Sequence, residues 1–363
     1  MATLSDLIAQ RIRALGPMSI AEFMHEALQH PRFGYYATRD PVGPEGDFIT
    51  APEASQAFGE LIGLWCADIW ERIGRPDPLL LVELGPGRGT LLRDALGATA
   101  RIKDFRRALR IHLVETGARL RQVQQERLGE YDPTWHRDLG DVPAGPLILI
   151  ANEFLDALPI VQLERGETHW HERAVDLASD DEHLIFARAA APSALAALVP
   201  SGLAEAAPGS IFEACPAALT IAAHLGRRLN TAPGVAVFID YGHTESACGD
   251  TLQAVRRHRY CGILDQPGNA DLTAHVDFAR FAEAARAAGA ATYGPVTQRD
   301  FLMRLGIEAR AQQLLRAASA QRDAVAAGIG RLLDPQEMGT LFKVLAIASP
   351  GLPAPDGFAE HRS

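Results

Sequence analysis

The chain has 363 residues, of which 47% are hydrophobic and 22% charged, so it can form one large α/β domain with insertions or two average domains. Its formal net charge is −10, and a field of that sign disfavours nucleic acid and anionic membranes as partners. The four cysteines form no CxxC pair, which argues against a zinc site and a disulfide framework and favours a reducing compartment. No stretch approaches the ~18 apolar residues of a membrane span. We therefore expect no nucleic-acid partner, no membrane insertion and no metal.

Residues 1–78 are predicted to form helices and loops. Apolar residues recur at helical spacing over 4–15, and Ser19 with Glu22 forms a capping box that begins a second helix. After a turn-rich segment, a longer helix is predicted over 53–73. This part of the chain is predicted to be a helical and lid region that precedes the main domain.

From residue 79 onwards, short apolar runs alternate with helical segments. The predicted strands are 79–84, 110–116, 146–154, 234–242 and 341–348. The predicted helices are 88–96, 117–129, 216–230, 276–288 and 298–333. This alternation predicts an α/β fold, a doubly wound, Rossmann-like parallel sheet with helices on both faces.

The alternation of predicted strands and helices defines the predicted domains. The sheet domain spans 79–349, and an insertion at about 160–215, which includes an antiparallel excursion, is predicted to face the substrate. Residues 350–363 are predicted to be a flexible tail.

The sequence VELGPGRGT follows the first predicted strand and opens a helix. Gly85, Gly87 and Gly89 allow positive φ and a close approach of backbone to a ligand, and the helix that follows offers unpaired N–H donors. A dinucleotide fingerprint requires glycine at position 90, where this chain has Thr90. With Glu83 two residues before the glycines, the pattern instead resembles the first motif of class I methyltransferases, in which the turn wraps the amino-acid part of S-adenosylmethionine.

Acidic residues follow other predicted strands. Glu115 ends the second strand, where a carboxylate can accept both ribose hydroxyls of an adenosine-containing ligand. At the end of the strand predicted over 146–154 come Asn152, Glu153 and Asp156, which we expect to face the transferred methyl group, with Asn152 in contact with the cofactor. Two carboxylates so close in sequence match the charge and fork of a guanidinium.

Six motifs occur in an order that resembles the MidA-like family of class I S-adenosylmethionine-dependent methyltransferases. They are GDFITAPE (46–53), FGELIG (58–63), VELGPGRGT (82–90), ANEFLDALP (151–159), DYGH (240–243) and NADLTAHVDF (269–278). The family's mitochondrial member is a complex I assembly factor that methylates an arginine of a core subunit. The resemblance covers most of the chain but is weak over 160–215.

The resemblance implies further roles. Gly46, Asp47 and Thr50 would belong to a lid over the cofactor, and Asp138 would meet the adenine amino group. For the reaction, Glu153 and Asp156 are the predicted carboxylates that accept the guanidinium and its proton, and Asp240 and His243 are held in reserve. The alternative roles of these residues are structural. The acids would cap helices, and His243 would be a hydrogen-bonded residue without a part in the reaction.

The sequence therefore predicts a cytoplasmic, S-adenosyl-L-methionine-dependent protein-arginine methyltransferase that acts on a subunit of respiratory complex I. If the chain is eukaryotic, the predicted location is the mitochondrial matrix. Two alternatives stay open, namely methylation of an O or N nucleophile in a small molecule or peptide, and a non-catalytic assembly factor that binds the cofactor. A nicotinamide dehydrogenase is disfavoured by Thr90.

Overall fold

The computed structural model describes residues 3–39, 49–179, 183–317 and 322–358. The helices in these ranges are α1 (Leu4–Leu15), α2 (Ile20–Gln29), α3 (Tyr35–Thr38), α4 (Ala51–Ala54), α5 (Gln56–Arg72), α6 (Thr90–Ala98), α7 (Lys103–Ala108), α8 (Ala118–Leu128), α9 (Pro216–Leu229), α10 (Phe278–Ala287), α11 (Gln298–Arg304), α12 (Ile307–Ala317), α13 (Arg322–Leu333) and α14 (Met338–Leu341).

The strands in the same ranges are β1 (Met18–Ser19), β2 (Leu79–Leu84), β3 (Leu109–Val114), β4 (Thr134–His136), β5 (Leu147–Asn152), β6 (Val161–Arg165), β7 (Trp170–Leu177), β8 (Leu184–Arg188), β9 (Ile211–Ala214), β10 (Gly234–His243), β11 (Gln253–Arg256), β12 (Arg259–Cys261), β13 (Asp271–Thr273), β14 (Val276–Asp277), β15 (Ala291–Thr297) and β16 (Phe342–Ala348). No helix of the described residues is long and apolar enough to cross a membrane.

The chain divides into two compact units. The described residues of 49–155, 219–244 and 278–363 form the first, which we call the sheet unit. Those of 1–48, 156–218 and 245–277 form the second, which we call the antiparallel unit.

The sheet unit contains strands in the order β15-β16-β10-β5-β2-β3-β4. From β10 to β4 neighbouring strands are parallel, whereas β16 runs antiparallel between β10 and β15. A dinucleotide-binding Rossmann sheet has the order 3-2-1-4-5-6. Here β16, the last strand of the chain, is instead inserted between β10 and β15, which makes this a different doubly wound sheet.

The predicted strands of the sheet unit are confirmed to within about two residues at each end. Every residue of β2 is buried, which explains why a strand covered by helices on both faces reads as a continuous apolar run. The predicted helix over 298–333 is instead interrupted after Arg304, where α11 ends, and resumes with α12 at Ile307. Sequence periodicity also missed β15, because none of its residues is buried and the pattern of a covered strand is absent.

The antiparallel unit contains a sheet of order β1-β7-β6-β9, with β8 paired to β7, and a small sheet of order β12-β11-β13. The predicted antiparallel excursion over 160–215 is confirmed by β6 to β9. The apolar faces of α1 and α2 pack in one core with Val175 of β7 and with Leu272 of β13.

The observed division differs from the predicted domain limits. The N-terminal helices share a core with the insertion because an amphipathic helix must bury its apolar face and the inserted sheet supplies one. The boundary therefore falls at 48/49 and not at 78. At the other end, Phe358 is 7% exposed and its ring lies 5.4 Å from that of Phe301, so the predicted tail packs on the sheet unit at least as far as this residue.

Candidate active site

The strand order of the sheet unit reverses between β2 and β5. From β2 the chain continues to β3 and β4 on one side and then returns to place β5 on the other. Ligands of open α/β sheets bind at such a reversal, beyond the carboxyl ends of the strands. The glycine turn 85–89 follows β2, and the turn 153–155 follows β5. The structure thus brings the two strongest sequence signals to one edge of the sheet.

The backbone of the glycine turn explains its composition. The φ angles of Gly85, Gly87 and Gly89 are +60°, +51° and +76°. Residues other than glycine adopt this region only at a cost in free energy. A Cβ at Gly85 would lie 2.8 Å from the ring of Phe154, whereas a Cβ at Gly87 would meet no heavy atom of the described chain within 4 Å. Gly87 therefore offers open backbone to a ligand, and the turn fits the predicted cofactor contact.

Glu83 lies in β2, two residues before the glycine turn, and is 4% exposed. Burial raises the pKa of its carboxyl to about 8, because the charged form loses its hydration. Its Oε2 has no hydrogen-bond partner within the described part of the chain. A buried carboxyl group with an unused oxygen at this edge fits a cationic ligand group such as an ammonium or sulfonium.

Glu115 follows β3, the neighbour of β2. Its Oε1 accepts the N–H of Gly117 at 2.7 Å, and its Oε2 accepts Nε2 of Gln124 at 3.3 Å. Burial raises the pKa of this carboxyl, and the hydrogen bonds partly offset that effect. The carboxylate is therefore held in one orientation, which suits a bidentate contact with ribose hydroxyls.

Gln124 is a site residue that the sequence reasoning missed. It is fully buried, its Nε2 also donates to the carbonyl of Gly87 at 2.8 Å, and its Oε1 accepts Nε1–H of Trp135 at 2.8 Å. One amide thus ties together the glycine turn, Glu115 and β4. The available signal was its place in the buried stripe of α8, where a polar residue stands four residues from Leu120 and from Leu128.

The remaining predicted cofactor residues differ in what the structure says of them. Gly46 and Asp47 lie outside the described residues. Thr50 is the N-cap of α4, but its side chain makes no capping hydrogen bond. Asp138 is exposed and caps a short 3₁₀ turn, where its Oδ1 accepts the N–H of Gly140 at 2.7 Å. Its contact with adenine stays a prediction.

The turn after β5 has an unusual conformation at Glu153, whose φ is +50°. This conformation is strained for a residue with a Cβ and persists only where its surroundings enforce it. Glu153 Oε1 accepts the backbone N–H of Ala51 at 2.9 Å and Nδ2 of Asn152 at 3.0 Å. Its carboxylate therefore connects this turn to the start of α4, directly after the predicted lid.

Asp240 supplies the other constraint on that turn. It is 1% exposed, and its Oδ2 accepts the N–H of Phe154 at 3.1 Å and of Leu155 at 2.8 Å. Its Oδ1 accepts the N–H of Tyr241. This carboxylate thus holds the backbone of the turn, and the catalytic role held in reserve for Asp240 stays a prediction.

The other two predicted catalytic residues stand near the ends of chain segments. Asp156 is the first residue of a segment of the antiparallel unit, is 7% exposed, and its carbonyl accepts the N–H of Ala274. His243 is the last residue of β10 in the sheet unit and is half-buried. Catalytic roles for Glu153, Asp156 and His243 stay predictions.

A second polar chain links α4 to the cofactor edge. The hydroxyl of Thr90, at the start of α6, donates to Glu53 Oε1 at 2.5 Å and accepts from Nη1 of Arg127 at 2.7 Å. Arg127 also lies 4.0 Å from the Glu53 carboxylate. Thr90 thus connects Glu53 to Arg127 through its hydroxyl, in addition to excluding a dinucleotide fingerprint.

Comparisons with known proteins agree with this geometry. The profile of a family described as S-adenosyl-L-methionine-dependent methyltransferases matches residues 61–296. The mitochondrial protein arginine methyltransferase NDUFAF7 homolog of Drosophila melanogaster is 36% identical over 95% of this chain and 84% of its own length. The human protein arginine methyltransferase NDUFAF7, also mitochondrial, is 34% identical over 93% of this chain and 81% of its own.

A solved structure also resembles this chain over nearly its whole length. The crystal structure of a Burkholderia thailandensis protein bound to S-adenosyl-homocysteine has a TM-score of 0.85 and 27% sequence identity, covering 99% of this chain and 96% of that one. Fold and site together define a class I S-adenosyl-L-methionine-dependent methyltransferase. Within that class the chain belongs to the MidA-like family, as its six motifs predicted.

Proposed function

We propose that this methyltransferase acts on the side chain of an arginine in a protein, and that this protein is a subunit of respiratory NADH dehydrogenase, complex I. Support comes from relatives named protein arginine methyltransferases, which match 93–95% of the chain. The matched part includes most of residues 160–215, where the sequence motifs alone were weakest.

One observation carries the choice of a nitrogen nucleophile. Asn152 Oδ1 is buried at the end of β5 and has no hydrogen-bond partner within the described residues. Buried acceptors are almost always satisfied, so an unused one beside the glycine turn fits an N–H donor of a ligand. The contact of Phe154 with Gly85 places this acceptor turn directly against the glycine turn.

The chemistry explains why carboxylates belong here. The cofactor supplies an electrophilic methyl group on a sulfonium, and the protein supplies position, worth about 7–11 kcal/mol in well-oriented reactions. An arginine has a pKa of about 12.5, so freeing a lone pair at pH 7 costs about 7 kcal/mol. We assign the guanidinium contact and the acceptance of its proton to Glu153 and Asp156. Asn152 orients the guanidinium, and Asp240 positions the turn that carries Glu153.

The test uses cofactor labelled in its methyl group and extract from a strain that lacks the gene. We expect label in one protein and methylarginine in its peptides by mass spectrometry. Label in small molecules would instead favour the small-molecule alternative. No transfer, with intact S-adenosylhomocysteine binding by calorimetry, would favour a non-catalytic assembly factor.

A variant pair tests the assignment of Glu153. We expect Glu153→Gln to bind S-adenosylhomocysteine normally but to transfer methyl groups about 10²–10⁴-fold more slowly. Glu126→Gln, an exposed change on α8, is the matched control. Full activity of Glu153→Gln would remove this carboxylate from the mechanism.

The location is part of the proposal. We propose that a bacterial chain is located in the cytoplasm and a eukaryotic one in the mitochondrial matrix. The names of the relatives include the word mitochondrial, and the bacterial compartment that corresponds to the matrix is the cytoplasm. Immunodetection of the native protein in fractionated cells tests this, and recovery outside these compartments would contradict it.

A further inference from the structure

The hairpin of β11 and β12 ends in a basic run that the net charge of the chain conceals. Residues 256–260 are Arg-Arg-His-Arg-Tyr, which gives three formal positive charges in a chain whose net charge is −10. Residues 257–260 are exposed, and Tyr260, at 77%, is more exposed than any other large hydrophobic residue of the described chain. We call residues 256–260 the basic tip. The expectation drawn from net charge alone overlooked it.

The basic tip departs from the residue preferences of a hairpin in two ways. Its two-residue turn places Arg257 at φ +51° and His258 at φ +59°, positions that asparagine and glycine normally occupy. Next to the turn, Arg256 stands directly opposite Arg259, and like charges in such a pair are destabilising. Strained backbone conformations cluster at functional sites, so these two departures point to a function of the basic tip.

The base of the hairpin is buried in the core of the antiparallel unit, whereas residues 257–260 of its tip are exposed to solvent. At its base Ala254 pairs with Leu272 of β13, and both are buried in the core of the antiparallel unit. Within the described chain, Arg256 donates to the neutral amide of Gln266 at 2.8 Å, and no carboxylate pairs with Arg256 or Arg259. The internal structure therefore does not neutralise these two guanidinium groups.

We propose that the basic tip docks an acidic segment of the methyl-accepting protein, with Tyr260 in apolar contact beside the paired charges. This inference rests on the proposed function, because it takes the acceptor to be a protein. The size of the tip favours a short acidic peptide segment. The longer side of the tip, 258–260, has three residues, which at about 3.3 Å per residue extend for roughly 10 Å.

A longer anion fits this surface less well. Duplex nucleic acid carries one charge per about 1.7 Å and extends far beyond the tip, over a chain that is acidic as a whole. Anionic membranes are typically bound by clusters of about four to eight cations, more than the three arginines present. Two carboxylates on an acceptor protein would match the guanidinium groups of Arg256 and Arg259.

The test compares three proteins by methyl transfer into extract of the deletion strain, supplied as a dilution series. They are the natural chain, the variant Arg256→Ser, Arg257→Ser, Arg259→Ser, and a control with the same loss of charge on exposed residues of the sheet unit, Arg101→Ser, Lys103→Ser, Arg316→Ser. At low ionic strength we expect the tip variant to show an apparent KM for the extract raised about tenfold, with kcat unchanged. We also expect its rate to depend less on salt than that of the control.

A second variant separates docking from folding. Arg257→Asn with His258→Gly installs the preferred turn, and we expect it to raise Tm while it also raises KM. S-adenosylhomocysteine affinity should be the same in all variants. Equal KM values for the tip variant and the control would overturn the proposal while leaving the proposed function intact.

Two further outcomes identify a different partner. If the difference between the tip variant and the control disappears after nuclease treatment of the extract, the tip binds nucleic acid and the proposal is wrong. If it disappears after membranes are removed by centrifugation, the tip binds lipid and the proposal is equally wrong. If the natural chain labels no protein, the proposed function and this inference fail together.

Discussion

Replacing Gln124 by methionine isolates the buried amide that ties the cofactor edge together. Methionine is close in volume and flexible, so the packing of α8 is largely kept and the hydrogen bonds are what is lost. The carbonyl of Gly87 loses a donor at 2.8 Å, and Nε1–H of Trp135 loses an acceptor at 2.8 Å. Glu115 loses the weaker contact at 3.3 Å.

The magnitude follows from the groups left without partners. A buried polar group that loses its partner costs about 1–3 kcal/mol, so two such groups cost about 2–6 kcal/mol. Because Trp135 is only half-buried, water recovers part of that cost and we expect about 2–4 kcal/mol. For a domain of this size, each kcal/mol lowers Tm by about 2–4 °C, which gives a total of about 4–16 °C.

The assay is thermal unfolding with and without S-adenosylhomocysteine, together with calorimetric titration of that ligand. We expect a lower Tm and an affinity at least tenfold weaker, because both the glycine turn and Glu115 lose their orientation. Gln125→Met changes the exposed neighbour on the same helix and serves as the control. Tm and affinity equal to those of the control would refute the view that this amide organises the cofactor edge.

Three further predictions concern the same unit. Glu115→Ala should weaken S-adenosylhomocysteine binding about 30-fold or more in calorimetry, because two hydrogen bonds to a charged group are lost; unchanged affinity would place the ribose elsewhere. Thr90→Val removes the hydroxyl between Glu53 and Arg127 and should raise the KM for the cofactor more than it lowers kcat in steady-state assays, whereas an unchanged KM would show that this link is only structural. Burial, and secondarily the charges of His136 and Arg228, lowers the pKa of His112 to about 4, so between pH 6.5 and 4 the unfolded chain binds more protons than the folded one. Stability should therefore fall as the pH decreases through that window, and urea unfolding of His112→Asn should show a flatter dependence; an equal slope in both proteins would contradict this account.

The sheet and its glycine turn were predictable because their signals are local. Fully buried strands such as β2 read as apolar runs, and positive φ at Gly85, Gly87 and Gly89 is required by the turn itself. The position of Glu115 followed from the end of its strand. These features depend on a few consecutive residues and on how strands of a parallel sheet align.

Contacts between distant residues were not predictable in the same way. Glu153 holds the N–H of Ala51, 102 positions away, and Asp240 holds Phe154, 86 positions away. Nothing in the local sequence distinguishes a carboxylate that binds backbone from one that faces a substrate. The sequence therefore did not show that Asp240 holds the backbone of a turn, and it gave no reason to single out Gln124.

By itself, the sequence determined the class of fold, the cofactor and the family, because these rest on ordered motifs and on the periodicity of buried strands. Only the tertiary structure decided that α1 and α2 share a core with the inserted segment and that Gln124 joins the glycine turn to Glu115. It also decided that a basic hairpin is exposed on an acidic chain. The physical reason is the same in each case: burial and hydrogen-bond partners are properties of surfaces brought together by folding, and residue order alone does not specify which surfaces meet.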